Sequence, residues 1–249
     1  MYSPAVLFLK AIVRWFRGLF GLAPIQEVMR IIQSHGYALK DCEVLETFAG
    51  DGSMQIADYV KKVGKVTAWE WGSDKIYALR NNLPQVRSIQ TDSFERINTE
   101  EPGKFDIVVI DASPKSCGHF EVFDMFPAAF RMLRQSGVFV CTVAPARNME
   151  LFKHYPECKD DKHRKARAAF YEVDEDQADD LSWFTMERGF RSQARKAKFN
   201  LTWCEVVRRN KYFVYFVFGV QPRESFRPDR MTEGNVAQTT GKPLGIPLG

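Results

Sequence analysis

Two glycines and three acidic residues, Glu46, Glu70 and Asp92, lie near the ends of predicted strands, where they can meet one ligand. The run VLETF leads into AGDGS and then into a predicted helix. Glycine suits this loop because a tight turn needs unusual backbone angles and because a ligand must approach the backbone closely. Glu70 ends the second predicted strand and Asp92 follows the third. A ribose diol can donate two hydrogen bonds to Glu70 and an exocyclic amine one to Asp92, so the pattern indicates a nucleoside site.

These residues are positioned by an alternation of predicted strands and helices that begins at Cys42. The alternation is typical of a parallel sheet with crossover helices. Strands are predicted at 43–48, 65–70, 86–90, 105–111 and 137–143, and helices near 53–63, 73–82, 120–134 and 178–197. The apolar runs on either side of Asn210 predict an antiparallel hairpin that closes the sheet. We therefore predict an α/β fold with a doubly wound, mostly parallel seven-stranded sheet and a C-terminal antiparallel hairpin.

Two other nucleotide-binding patterns fit the sequence less well. A dinucleotide fingerprint GxGxxG needs a third glycine at the position of Gln55, where it would allow close helix packing under a pyrophosphate. The sequence also has no GxxxxGK[ST] motif, so a phosphate-binding P-loop has no support. A nicotinamide-dependent oxidoreductase is thus disfavoured.

Taken in order, VLETFAGDGS, the pair WE, QTDSF and FDIVVIDASP resemble the class I S-adenosylmethionine-dependent methyltransferases. The resemblance covers about 43–143, and the hairpin extends it to about 220. It implies S-adenosylmethionine as cofactor, with its methionine part lined by Glu46, Ala49, Gly50 and Gly52. It further implies that Glu70 holds the ribose, that Trp71 lies beside the adenine, and that Asp92 and the backbone of Ser93 contact the adenine edge. A core position for Trp71 and a helix-capping role for Asp92 are the alternatives.

The end of the fourth predicted strand is the expected place of the methyl acceptor. The segment IDASPKSCGHF contains Asp111 and His119, which we predict to orient the acceptor or to take its proton. DASP partly resembles the Asp-Pro-Pro-aromatic motif of family members that methylate amino groups of nucleic acid bases, but Pro114 stands where the aromatic residue would be. His119 can alternatively be a packing or capping residue. No standard metal-ligand spacing occurs, so no metal site is predicted.

Charge and composition bound the partners. The 249 residues carry a net charge of +4, too little to indicate nucleic acid without a local patch. The basic segments 159–167 and 188–198 are predicted to form such a patch beside the acceptor pocket; a solvated surface of mixed charge is the alternative. Five scattered cysteines without a CxxC motif favour a reducing, cytoplasmic compartment.

The two ends of the chain differ from its centre. Residues 4–17, within an N-terminal region 1–24, predict an amphipathic helix that docks on the protein, on a partner or on an anionic membrane surface. The methyltransferase-like domain is predicted at 25–220, and 221–249 is a Pro- and Gly-rich tail. We therefore expect a methyltransferase with nucleic acid favoured as acceptor over a small molecule or a protein. A catalytically silent binding or assembly module is the alternative.

Overall fold

A computed structural model describes residues 23–112 and 121–223. Within these ranges the seven strands form one sheet in the spatial order β3-β2-β1-β4-β5-β7-β6. The strands are β1 Glu43–Glu46, β2 Lys65–Glu70, β3 Arg87–Gln90, β4 Phe105–Ile110, β5 Leu133–Val143, β6 Phe199–Arg208 and β7 Val214–Pro222. β1 to β5 pair in parallel, whereas β7 is antiparallel to both β5 and β6. The predicted fold class and the C-terminal hairpin are confirmed.

Helices flank the sheet. They are α1 Pro24–Ser34, α2 Gln55–Tyr59, α3 Ser73–Asn82, α4 Ser93–Thr99, α5 Glu121–Asp124, α6 Ala128–Arg131, α7 Met149–His154, α8 Asp161–Tyr171 and α9 Trp183–Lys196. Each αβ connection returns the chain to the amino end of the next parallel strand, so the loops after β1, β2, β3 and β4 all lie at one edge of the sheet.

Two apolar clusters cover the two faces of the sheet, and β4 contributes alternate residues to each. Val108 and Ile110 belong to a cluster rich in aromatic rings, which includes Phe130, Phe190 and Phe218. Ile107 and Val109 face the other cluster, which is mostly aliphatic. Burial on both faces explains the continuous apolar run 107–110 in β4.

Several predicted element boundaries were wrong. The helix expected over 120–134 is two short helices separated by Pro127, which has no N–H to donate in a helix interior. β5 begins at Leu133, four residues earlier than 137, because Leu133 pairs with Phe105 before an irregularity in the register. α1, α7 and α8 were not predicted at all. α1 is amphipathic and buries Ile25, Val28, Met29 and Ile32.

The predictions for 4–17 and for most of the tail lie outside the described residues. So does His119, together with the rest of 113–120. Within the described part of the chain, every helix is too short or too polar to cross a bilayer.

Candidate cofactor and acceptor site

A cavity of about 710 Å³ lies beyond the carboxyl ends of β1 to β4 and extends to the turn between β6 and β7. Its volume is in the range of small-molecule and cofactor sites. It is lined by Thr47, Phe48, Ala49, Gly50, Asp51, Met54, Gln55, Glu70, Trp71, Lys75, Asp92, Ser93, Phe94, Asp111, Ala112, Tyr155, Arg209, Asn210 and Phe213. The position matches the crevice in which open α/β sheets bind their ligands.

The glycine loop after β1 has two different uses for its glycines. Gly50 has φ +59° and Gly52 has φ +72°, a region that residues with a Cβ rarely adopt. A Cβ on Gly50 would meet no atom within 4 Å, so its backbone borders open space in the cavity wall. A Cβ on Gly52 would lie 2.6 Å from Leu79 Cδ1. Gly52 therefore permits packing of the loop on α3 and does not line the cavity. Its contact with the cofactor stays a prediction.

Glu70 joins the loops that follow β1 and β2. Its Oε2 accepts a hydrogen bond from the backbone N–H of Gly50 at 2.9 Å, and its Oε1 accepts one from Gly72 at 2.9 Å. The residue is 6% exposed and lines the cavity. Because a carboxylate has about four lone-pair sites, two further donors can bind it.

Trp71, Asp92 and Ser93 surround the same end of the cavity. The Trp71 side chain is 71% exposed, which rules out the core position considered for it. Asp92 Oδ1 accepts a hydrogen bond from the N–H of Phe94 at 2.8 Å and so caps α4, yet the residue also lines the cavity. The buried Ser93 donates its hydroxyl to the carbonyl oxygen of Thr47, which ties α4 to the loop after β1.

Glu46 lies beneath the cavity and does not line it. The side chain is buried, and Tyr59 donates its hydroxyl to Oε2 at 2.6 Å. Burial raises the pKa of Glu46 to about 8, and the nearby carboxylate of Asp111 also raises it. In this structure the side chain points into the protein and bonds Tyr59, and its contact with the cofactor stays a prediction. Ala49, by contrast, lines the cavity.

Asp111 follows β4 and accepts hydrogen bonds on both oxygens. Thr142 donates its hydroxyl to Oδ1 at 2.6 Å, and Tyr215 donates to Oδ2 at 2.8 Å. Thr142 and Tyr215 are directly opposite each other in the β5–β7 pairing, so the sheet itself aligns the two donors. Burial raises the pKa of Tyr215 well above its ordinary value, and the charge of Asp111 adds to the effect.

Arg209 completes this group and was not identified from the sequence. Its Nε lies 2.9 Å from Asp111 Oδ1, and its Nη2 donates to Oδ2 at 3.2 Å. Burial lowers the pKa of Arg209, but Asp111 and Tyr215 raise it by more, so the net shift is upward. The sequence did contain a relevant pattern, because Arg209 directly precedes the predicted hairpin turn at Asn210. That turn must lie at one edge of the sheet.

An aromatic wall adjoins Arg209. Tyr155 follows α7, and its ring centroid is 5.0 Å from that of Phe213 in an edge-to-face contact. Phe213 and Asn210 belong to the β6–β7 turn and line the cavity with Tyr155. Lys211 pairs with Glu150 of α7 at 2.5 Å, so the turn and α7 are held together.

The basic segments 159–167 and 188–198, predicted to form a patch beside the acceptor pocket, lie away from the cavity. Among the described residues, none from 159–167 or 188–198 lines the cavity. Arg167 is buried and donates to the carbonyl oxygens of Ala178 and Pro145. Arg191 binds Glu187 through Nε and Nη2 and donates to the carbonyl of Leu201. Arg167 and Arg191 therefore stabilise the fold around α8 and α9, and the described residues of the two segments form no patch at the cavity.

The described side chains also include no cluster of three or more His, Cys, Asp or Glu residues arranged to hold a metal ion. His163 is buried, with its Nδ1 3.2 Å from the carbonyl oxygen of Cys158.

Comparison with known proteins identifies one family. The model of the FtsJ-like methyltransferases matches residues 16–167, which is more than half of the chain. No curated protein gives a significant match.

Many solved structures share the fold at low sequence identity. One is M. jannaschii TYW2 in complex with AdoMet, 18% identical over 81% of this chain and 77% of that chain, with a TM-score of 0.48. Another is the Burkholderia thailandensis 1,6-didemethyltoxoflavin-N1-methyltransferase with bound 1,6-didemethyltoxoflavin and S-adenosylhomocysteine. It is 15% identical over 90% of this chain and 92% of that chain, with a TM-score of 0.49.

Proposed function

The chain belongs to the FtsJ-like methyltransferase family, whose cofactor is S-adenosylmethionine, and we propose that it transfers the cofactor's methyl group to a nucleic acid. One observation carries the proposal: a single cavity joins the carboxylates after β2 and β3 to an aromatic wall at the β6–β7 turn. A nucleoside-binding end and an acceptor-binding end are thus continuous.

The residues at the first end suit the cofactor. Glu70 keeps lone pairs for a ribose diol, Trp71 presents an exposed ring beside it, and Asp92 offers a carboxylate oxygen for an amine. Gly50 leaves open space where a side chain would obstruct a close approach. When bound there, S-adenosylmethionine supplies an electrophilic methyl group on a sulfonium. The protein's part is to hold a nucleophile in line with it, which is a positioning task.

The residues at the second end suit a nucleotide. Tyr155 is half-buried in the wall and offers a ring on which a base can stack, while Phe213 supports it from the side. Asn210 adds an exposed amide, although its Oδ1 already accepts from the N–H groups of Tyr212 and Phe213. Its amide nitrogen therefore remains the group to donate to a base edge.

The test uses the full chain with labelled S-adenosylmethionine and three acceptors: RNA, DNA and a mixture of small metabolites. We expect transfer to a nucleic acid. Tyr155→Ala should weaken oligonucleotide binding by about 1–3 kcal/mol, the usual value of one base–aromatic stack. Tyr77→Ala is the matched control, since Tyr77 is 57% exposed on α3 and does not line the cavity.

Other results would contradict the proposal in distinguishable ways. Methyl transfer only to small molecules would show that the acceptor is a small molecule and not a nucleic acid. Binding of S-adenosylmethionine without transfer to any acceptor would favour the silent module. The double variant Arg191→Ala/Arg195→Ala should leave nucleic acid binding and its salt dependence unchanged, because Arg191 is occupied by Glu187 and Leu201 and neither arginine lines the cavity.

A further inference from the structure

Arg209 is a cation fixed at the junction between the two ends of the cavity. Its backbone N–H donates to the carbonyl of Phe213 at 3.0 Å, which closes the β6–β7 turn. The Oδ1 of Asn210 accepts from the N–H groups of Tyr212 and Phe213 and fixes the same turn. The arginine therefore stands on a rigid support, not on a loose loop.

Asp111 serves this arginine as an anchor. Three hydrogen bonds reach its two oxygens, from Thr142, Tyr215 and Nη2 of Arg209. Nε of Arg209 donates to the Tyr215 hydroxyl and lies 2.9 Å from Oδ1 as part of the ion pair. These contacts hold the carboxylate in one orientation, with Arg209 against it. The geometry of Asp111 is therefore that of a group that orients Arg209.

The guanidinium still has donors to offer. Of its five N–H bonds, the contacts with Asp111 and Tyr215 engage Nε and Nη2, and Nη1 makes no hydrogen bond to another described residue. The side chain is 19% exposed and lines the cavity. Glu46, a buried carboxyl that also feels the charge of Arg209, accepts from Tyr59 and does not line the cavity.

We propose that Arg209 binds an oxyanion in the cavity through Nη1, with Asp111 as its positioning residue. This inference rests on the proposed function and specifies the ligand chemistry of the same site. Two groups supply such an oxyanion: the carboxylate in the methionine half of the cofactor and a phosphate of the nucleic acid acceptor. A guanidinium N–H suits both, because a charged acceptor makes a short and strong hydrogen bond with it.

The experiment compares Arg209→Gln and Arg209→Lys with Arg208→Gln. Arg208 is the matched control because it is the preceding arginine, exposed, and outside the cavity lining. The probes are S-adenosylhomocysteine, its decarboxylated analogue and a short RNA, each measured by calorimetry with the full chain. Arg209→Lys retains the charge but not the planar guanidinium that Asp111 orients, so it should lose most of the affinity that Arg209 provides.

If the cofactor carboxylate is the ligand, Arg209→Gln should weaken the binding of S-adenosylhomocysteine at least tenfold. The affinity for the decarboxylated analogue should not change. If a phosphate is the ligand, S-adenosylhomocysteine should bind normally, RNA should bind at least tenfold more weakly, and the salt slope should fall by about one unit. Either result supports the oxyanion site.

The proposal is overturned if the wild type binds the probes and Arg209→Gln changes none of these affinities. It is also overturned if S-adenosylhomocysteine and the decarboxylated analogue lose affinity equally, or if Arg208→Gln has the same effect. Failure of the wild type to bind S-adenosylhomocysteine at all would instead refute the proposed function. Should Arg209→Gln unfold because Asp111 is left unpaired, the charge-neutral double variant Asp111→Asn/Arg209→Gln replaces it in the same titrations.

Discussion

The carboxylate of Glu70 and the backbone N–H of Gly50 are joined by a hydrogen bond of 2.9 Å. The second carboxylate oxygen accepts from Gly72, so one side chain holds the loops after β1 and β2 in a fixed relation. The same carboxylate lines the cavity. Glu70 therefore shapes the nucleoside end of the cavity and also provides hydrogen-bond acceptors for a ligand there.

We expect Glu70→Ala to weaken S-adenosylmethionine binding by about 1.5–3 kcal/mol, the usual loss for hydrogen bonds to a charged group. Calorimetry measures the change directly. Glu101→Ala is the control, because Glu101 is exposed and outside the cavity lining. An unchanged affinity, or tighter binding of a nicotinamide dinucleotide by the wild type, would contradict the assignment of Glu70.

The two glycines of the loop after β1 should respond differently to the same substitution. The methyl group of Gly50→Ala meets no other atom, so the substitution should cost only backbone strain, about 1–2 kcal/mol of stability. The same methyl group narrows the cavity and should weaken binding of the cofactor. Gly52→Ala adds a collision with Leu79, so its total cost should be about 2–5 kcal/mol. Urea unfolding measures both. Equal losses of stability would show that the contact with Leu79 relaxes freely.

Much of the fold was predictable because the strands are marked by β-branched and aromatic runs at regular intervals. β2 was predicted at its exact bounds, and β4 is buried on both faces, which gives its apolar run. The helices α7 and α8 were missed because their faces are short and mixed in charge. Their starts are set by the local caps Asn148 and Asp160, each of which accepts from a backbone N–H.

The candidate site was predictable only at the level of loops. The motifs indicated which loops meet, but not which way each side chain points: Glu46 turns down to Tyr59 and Gly52 packs on Leu79. The pairing of Asp111 with Arg209 joins positions 98 residues apart and depends on the register of the β6–β7 hairpin. No local pattern specifies such a pair.

Breaking that pair should be costly. Asp111→Asn leaves a largely buried guanidinium without its charged partner, and we expect the free energy of unfolding to fall by about 3–5 kcal/mol. Glu187→Gln is the control, since Glu187 and Arg191 form a half-exposed pair whose loss should cost less than about 1 kcal/mol. Denaturant titration of the two variants decides the matter. Similar small losses would mean that Asp111 does not anchor Arg209.

The buried carboxyl of Glu46 should make stability fall as pH rises. Burial raises its pKa to about 8, from the 4.5 of an unperturbed glutamate, and the charge of Asp111 contributes to the shift. Between these two values the folded protein holds a proton that the unfolded chain has lost, so each rise in pH disfavours folding. The contribution is complete below about pH 4.5 and is lost once the pH passes 8.

Glu46→Gln should remove this slope, because an amide stays neutral and its oxygen can still accept from the Tyr59 hydroxyl. At pH 9 the free energy of unfolding of the variant, measured by urea titration, should exceed that of the wild type by as much as about 4 kcal/mol. The difference should be smaller at pH 5. Glu95→Gln, on the exposed first turn of α4, is the control and should keep the wild-type slope. If wild type and Glu46→Gln show the same pH dependence from 5 to 9, Glu46 is ionised in the folded protein and must have a cationic partner or water that the bond to Tyr59 does not provide.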